Sequence, residues 1–258
     1  SLPIGRTASS VDGGFESTCA ILDNGSIYCW GGNAYGNLGD GTTTSSSTPV
    51  GVNLPEGRTA SAISLQRVSA CAILDNGSIY CWGFNENGQL GDGTTTDREE
   101  PVAVSIPVGR TATGISISDY HTCAILDDGT VSCWGQNDYG QLGDGSTTDS
   151  SVPVSVNLPS GRTATSISSA QYHNCAILDD GSIYCWGSNT AGYLGDGNIG
   201  SNNEFKDNLI QKNIDNEKNL KKVEVELLKN NKNRDELIGK KFTDIDSEIE
   251  KVNPRLLK

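Results

Sequence analysis

Short apolar runs recur along the first two hundred residues, among them Ala62-Ile63-Ser64-Leu65, Cys71-Ala72-Ile73-Leu74, Ser78-Ile79-Tyr80-Cys81-Trp82 and Val102-Ala103-Val104-Ser105-Ile106. They are rich in β-branched and aromatic residues and are bounded by Gly, Pro, Asn and Asp, which predicts strands. Up to Gly197 no stretch carries a helical period long enough to compete. The strand pattern is itself periodic. The heptapeptide Cys-Ala-Ile-Leu-Asp-Asn/Asp-Gly starts at Cys19, Cys71, Cys123 and Cys175, in steps of 52 residues without insertion or deletion. Four strands per unit at this spacing predict an all-β fold, a partial β-propeller of four repeats. The blade units are expected at about 1–48, 49–100, 101–152 and 153–197. Pro49, Pro101 and Pro153 mark one repeat phase, and the next position in that phase is Phe205, where the pattern has stopped.

The turn within each unit accounts for the cysteines. In Leu22-Asp23-Asn24-Gly25-Ser26 a three-residue loop with glycine in the left-handed position forms a type I turn plus a bulge, and pairs Leu22 with Ser26. Counting outward, Cys19 faces Cys29 in a non-hydrogen-bonded pair, where Cα atoms lie roughly 4.5 Å apart and a disulfide can close. The same register predicts Cys71–Cys81, Cys123–Cys133 and Cys175–Cys185. Buried free thiols are the alternative, since cysteine packs as a small hydrophobe. A zinc site needs four ligands where each hairpin offers two, so no metal is expected. Disulfides persist in oxidising surroundings, which places the parent protein outside the cell or on its surface.

Charge divides the chain in two. Residues 1–197 hold no lysine, six arginines and twenty Asp and Glu, whereas 198–258 hold all eleven lysines, two arginines and twelve acids. An acidic repeat region without a basic stripe excludes nucleic acid and anionic membrane surfaces as partners. No run approaches the roughly 20 apolar residues of a membrane span, and no signal-peptide pattern opens the chain. It opens in mid-repeat, with Gly5-Arg6-Thr7 matching Gly57-Arg58-Thr59, and is expected to be a piece of a longer protein. From Asn198 a Lys/Asn-rich tail begins. There Ile238, Phe242, Ile245, Ile249, Val252 and Leu256 follow steps of four and three, as on one helix face. An α-helical or partly disordered tail is expected, one that docks on the propeller edge or self-associates.

The stretch from His121-Thr122-Cys123 through Asp128-Gly129, Cys133-Trp134-Gly135, Asn137 and Gly140-Gln141-Leu142-Gly143-Asp144-Gly145 resembles the regulator of chromosome condensation repeat family. The resemblance covers about residues 1–197. It implies seven-bladed propellers, and the double-cysteine variant is similar to secreted bacterial and archaeal relatives. The founding member is a nuclear exchange factor for a small GTPase. Paired cysteines and the lack of a basic surface set this chain apart from that activity.

Candidate chemistry is sparse. Trp30, Trp82, Trp134 and Trp186 share one phase and are expected to pack blades. Gly-rich runs such as Gly36-Asn37-Leu38-Gly39-Asp40-Gly41 lack the lysine and the helix of a phosphate loop and are expected to be turns. His121 and His173, with no nucleophile beside them, are expected to make structural hydrogen bonds. Asp127-Asp128-Gly129 lacks the acid spacing of a calcium loop. Asn24-Gly25-Ser26 and Asn76-Gly77-Ser78 match a glycosylation acceptor but lie in the tight turn. No catalytic residue, metal or cofactor is expected, and no enzyme activity. What varies from unit to unit is the loop before each first cysteine and the residue after each Trp-Gly. Phe15, Arg67, Phe84, Tyr120 and Tyr172 fall there, types enriched at binding hot spots. The expected function is a secreted or cell-surface module that presents these loops to a protein or glycan, with an extracellular enzyme inhibitor as the alternative.

Overall fold

The computed structural model describes residues 2–200 together with the backbone of Lys206–Asp207. Four antiparallel four-stranded sheets follow one another along the chain. The first contains β1 (Ala8–Gly13), β2 (Ser17–Leu22), β3 (Ile27–Gly31) and β4 (Ser46–Gly51), and the second β5 (Ala60–Gln66), β6 (Ser69–Leu74), β7 (Ile79–Gly83) and β8 (Arg98–Ala103). The third contains β9 (Ala112–Ile117), β10 (His121–Leu126), β11 (Val131–Gly135) and β12 (Ser150–Ser155), and the fourth β13 (Ala164–Ser169), β14 (His173–Leu178), β15 (Ile183–Gly187) and β16 (Lys206–Asp207). Strands are ordered as in the chain, and β1, β5, β9 and β13 touch one another in succession. The first strand of each sheet therefore lies at the inner edge and the fourth at the outer edge, the arrangement of propeller blades.

The sheets are offset from the repeat units at about 48, 100 and 152, because Pro49, Pro101 and Pro153 fall inside the outer strands β4, β8 and β12. Each proline sits where the ladder with the third strand shifts register, between Cys29/Gly31, Cys81/Gly83 and Cys133/Gly135. An edge strand tolerates proline there because no ladder donor is lost. The outer strand also begins earlier than the apolar run Val102–Ile106, at Arg98, and is largely exposed. The fourth blade reaches past Gly197: Cys185 faces Lys206 as Cys29 faces Val50 and Cys81 faces Val102. Backbone pairing keeps the register after the side-chain pattern has ended. The helical segment expected in the tail, including Ile238 to Leu256, lies outside the described residues.

Each central hairpin closes through a three-residue loop. Leu22 N donates to Ser26 O at 2.9 Å and Gly25 N to Leu22 O at 2.8 Å, with Gly25 at φ 76°. The register that follows sets Cys19 opposite Cys29, Cys71 opposite Cys81, Cys123 opposite Cys133 and Cys175 opposite Cys185. All four pairs are disulfides, with Cα atoms 4.0–4.1 Å apart.

Alternation along β2 and β3 gives each blade two different faces. One carries the disulfide with two aliphatic side chains and the leucine of the Gly-rich turn; the other carries alanine, leucine and tryptophan. Stacking puts the first face of one blade on the second face of the next. Cys19, Ile21, Ile27, Cys29 and Leu38 thus pack on Ala60, Ala70, Ala72, Leu74 and Trp82. From blade two to three, Cys71, Ile73, Ile79, Cys81 and Leu90 cluster with Ala112, Ala124 and Trp134, and from three to four, Cys123, Ile125, Val131, Cys133 and Leu142 cluster with Ala164, Ala176, Leu178 and Trp186. Fully burying one such Leu or Ile contributes about 1.5–3 kcal/mol. Polar ties repeat with the same period. The indoles of Trp82, Trp134 and Trp186 donate to the carbonyls of Asn37, Gln89 and Gln141 at 3.1, 2.8 and 2.9 Å. Ala60 N, Ala112 N and Ala164 N donate to Gly25 O, Gly77 O and Gly129 O of the preceding hairpin. A side chain at any of those three glycines would strike Thr59, Thr111 or Thr163 of the next blade.

His121 adds a tie between blades three and four. It is fully buried, with Nδ1 on Ser118 Oγ at 2.7 Å and Nε2 on Asn174 Oδ1 at 2.8 Å. Burial holds its pKa at about 4 rather than 6.5, the charge of His173 acts in the same direction, and the Asn174 contact opposes them.

Two outcomes follow for stability. Non-reducing peptide mapping of protein made in an oxidising compartment should return the four intrablade cystines, and replacing Cys71 and Cys81 together by Ala should cost roughly 3 kcal/mol in urea unfolding. Eight alkylatable thiols, or bridges between different repeats, would contradict the pairing. The second concerns pH. The unfolded chain binds a proton at His121 near pH 6.5 and the folded chain only near pH 4, so this contribution is complete above pH 6.5 and declines as pH falls toward 4. His121→Ser, which restores the residue found at Ser17 and Ser69, should lower stability at neutral pH by about 1–3 kcal/mol and flatten the decline. His173, also held low by burial, leaves a residual slope of the same sign.

Candidate functional site: an aromatic rim

The loops that differ between repeats lie at one end of the blades. The connection from the first to the second strand is hydrogen-bonded to the residue that follows the third. Gly32 N donates to Glu16 O, Phe84 N to Val68 O, Gln136 N to Tyr120 O and Ser188 N to Tyr172 O, at 2.8–3.1 Å. Each blade therefore presents two adjacent variable positions on the same rim, held by a constant backbone.

Across the blades these positions link up. Phe15 N donates to Arg67 O at 3.1 Å, and Arg67 Nη1 donates to the Tyr120 hydroxyl at 3.3 Å. Tyr120 and Tyr172 stack with centroids 5.7 Å apart, and Tyr139 meets Tyr172 edge-on at 5.2 Å. Gln171 Nε2 donates to Asp119 Oδ2 at 3.2 Å. Arg67, Tyr120 and Tyr172 are thus joined in one row over blades two to four. Phe84 stays outside that row and pairs edge-on with Tyr35 of the preceding blade at 5.2 Å. Phe15 is bound to its neighbour through backbone alone, and its ring is 81% exposed.

Arg67 is distinctive twice over. Among the described residues it is the one non-glycine with positive φ, at 46°. It opens a two-residue turn between the paired Gln66 and Ser69, at a position where primed hairpin turns favour glycine. The conformation costs on the order of 1 kcal/mol, and such strain concentrates at binding sites. The other arginines of the repeats pair with aspartates: Arg6 with Asp23, Arg58 with Asp75, Arg98 with Asp92, Arg110 with Asp127 and Asp128, and Arg162 with Asp179 and Asp180. Arg67 reaches a phenol instead. Burial first, and then the neighbouring Tyr120, pushes the Tyr172 phenol above its ordinary value.

Tyr35, Tyr139 and Tyr193 are rim residues that the repeat pattern hides. Tyr35 and Tyr139 share a phase with Asn87 and Ala191, so they vary between units, yet a tyrosine before Gly36 or Gly140 looks like part of the repeated turn. Tyr193 stacks on His173 at 5.0 Å. The Gly-rich runs fold around a buried asparagine. Asn33 Nδ2 donates to Thr42 O, and Asn33 Oδ1 accepts from Leu38 N at 2.8 Å, as do Asn85, Asn137 and Asn189 from Leu90, Leu142 and Leu194. The side chains of Asn24 and Asn76 are turned onto Ser26 and Ser78 of their own turns. Among the described residues no group of three or more His, Cys, Asp or Glu could hold a metal ion.

The model described as "Regulator of chromosome condensation (RCC1) repeat" matches residues 24–70, 76–125 and 128–177, and a second model of the same description matches 8–37, 112–141 and 164–192. The ultraviolet-B receptor UVR8 of Arabidopsis thaliana is 32% identical over 187 residues, covering 72% of this chain and 42% of the receptor. The chain spans less than half the length of the curated relatives it matches. Among solved structures, human WBSCR16 superposes with a TM-score of 0.73 at 20% identity, over 81% of this chain and 54% of that one. Yeast RCC1 (Prp20), solved bound to Kap60, superposes with a TM-score of 0.62 at 23% identity, over 72% and 44%. Both agree in fold with the stacked blades, and the matched repeats cover more than half of the sequence. The chain belongs to the regulator of chromosome condensation (RCC1) repeat family.

Proposed function

We propose that this chain is a non-enzymatic binding module, working outside the reducing cytosol, whose aromatic rim engages a protein partner. The observation that carries the proposal is the row of Arg67, Tyr120, Tyr172 and Tyr139, rigid side chains of the types that dominate binding energy. They stand on loops that vary while the frame beneath them repeats. Four disulfides among the described residues support an oxidising location, and yeast RCC1, solved with Kap60 bound to it, supports a protein as the kind of ligand. A glycan is the second reading, favoured by the exposed Phe15 ring as a stacking platform. Enzyme activity finds no support in a nucleophile–base pair, and inhibition of an extracellular enzyme is one form that protein binding could take.

In a binding screen over panels of extracellular proteins and glycans, a genuine ligand should lose at least about ten-fold in affinity with Tyr120→Ala or Tyr172→Ala. Tyr28→Ala, in β3 of the first blade, should leave it unchanged. Arg67→Gly should weaken binding while changing stability by less than about 1 kcal/mol, because glycine relieves the left-handed strain that arginine bears. Ligands that all survive the rim substitutions would refute the assignment.

A further inference from the structure

The repeats leave the rim short of positive charge. Arg6, Arg58, Arg110 and Arg162 pair with aspartates of the hairpin turns at the opposite end of the blades, and Arg98 pairs with Asp92 of a Gly-rich turn. Arg67 stands on the rim, with its guanidinium already placed on the Tyr120 hydroxyl. Residues 1–197 hold no lysine. Among the described residues neither Asp119 nor Asp138 makes an ion pair.

Both carboxylates flank the tyrosine stack. Asp119 precedes Tyr120, and its Oδ2 accepts from Gln171, the chain neighbour of Tyr172, at 3.2 Å. Asp138 precedes Tyr139, and its Oδ2 accepts from Gln136 Nε2 at 2.7 Å, while Gln136 N is held on Tyr120 O at 2.9 Å. Tyr172 lies 5.7 Å from the Tyr120 ring and 5.2 Å from that of Tyr139, so two acids and three phenols form one patch across the junction of blades three and four. With its Nε2 on Asp138, Gln136 keeps a buried Oε1 that has no donor among the described residues. The repeat frame does not require these groups. The position of Gln136 is Gly32, Phe84 or Ser188 in the other units, that of Asp138 is Ala34, Glu86 or Thr190, and that of Asp119 is Phe15, Arg67 or Gln171.

We propose that this patch takes a lysine or arginine side chain presented by a basic segment of the protein partner, an inference that rests on the reading of the rim as a binding surface. The faces of the phenols attract a cation through the ring quadrupole. The two carboxylates supply the countercharge, and the unpaired Gln136 Oε1 is an acceptor for an N–H. Arg67 shows the same chemistry within the chain, its guanidinium donating to the Tyr120 hydroxyl at 3.3 Å. It fills that end of the row and leaves the end with Asp119 and Asp138 to the partner. An apolar or acidic segment would instead close over two carboxylates without a countercharge, which weakens an interface.

The full, oxidised chain can be titrated with a short peptide of alternating glycine and arginine, followed by NMR of the tyrosine rings at about 0.15 M salt. Tyr120, Tyr139 and Tyr172 should shift, and Tyr28 and Tyr80 should not. A glycine–glutamate peptide of the same length should shift none of them. Asp119→Asn and Asp138→Asn each remove a charge but keep the acceptor for Gln171 or Gln136, and each should weaken the arginine peptide at least about five-fold. Glu56→Gln, an exposed position in the connection that carries Arg58, should change its affinity less than about two-fold. Equal losses in all three variants would reveal only diffuse attraction to an acidic protein and would overturn the proposal. So would no loss in either aspartate variant, binding of the glutamate peptide, or no shift with either peptide, including the case in which lysines of residues 198–258 already occupy the patch. The reading of the rim fails separately. A protein ligand that loses affinity with Tyr172→Ala yet is indifferent to both aspartate variants would overturn the cation and keep the rim, and one indifferent to all three would overturn both.

Discussion

The fold depends on a mismatch built into every blade. A four-stranded sheet of about forty residues has two apolar faces and no means of covering either. One face is a disulfide flanked by branched aliphatics; the other is small residues and a tryptophan. They fit each other and not themselves, so a blade is stable only beside a neighbour in the same orientation. The disulfide belongs to this junction as much as to its own hairpin. Cys19 and Cys29 are fully buried against the next blade, and cross-linking the hairpin keeps that face flat.

Because the apolar junctions keep one pattern from blade to blade, the loops at the blade ends are free to differ. The constant tie from the residue after the third strand to the loop before the second fixes where those loops stand without fixing their side chains. This is why Arg67 can hold a left-handed backbone in blade two while the matching positions are Phe15, Asp119 and Gln171. The same separation explains His121. Serine occupies its position in the first two blades, and in the third the imidazole fills a buried gap between Ser118 and Asn174. That gives a structural tie rather than a base poised for chemistry.

Much of this was legible in the residues. The Asp-Asn/Asp-Gly loop sets a hairpin register, and the register alone puts Cys19 opposite Cys29, since a one-residue shift would move the thiols to opposite faces. The outer strands were less legible. Arg98 pairs with Gly83 on an exposed edge, where no apolar alternation is required, and Glu99, Glu100 and Pro101 stand in a bulge rather than between blades. The fourth outer strand left no side-chain signature at all. In the site, variation between repeats pointed to Arg67, Tyr120 and Tyr172, but not to their contact. Tyr120 and Tyr172 lie 52 residues apart at one phase, which makes them neighbours only once the blades stack. Tyr139 was hidden because its neighbour Gly140 belongs to the repeated turn.

Hydrogen exchange tests most directly whether blade-on-blade contact governs the array. The account predicts slow exchange at the indoles of Trp82, Trp134 and Trp186 and at the amides of Ala60, Ala112 and Ala164, with fast exchange at Trp30 and Ala8. Equal exchange at all four tryptophans, or slow exchange at Trp30 and fast at Trp134, would contradict it.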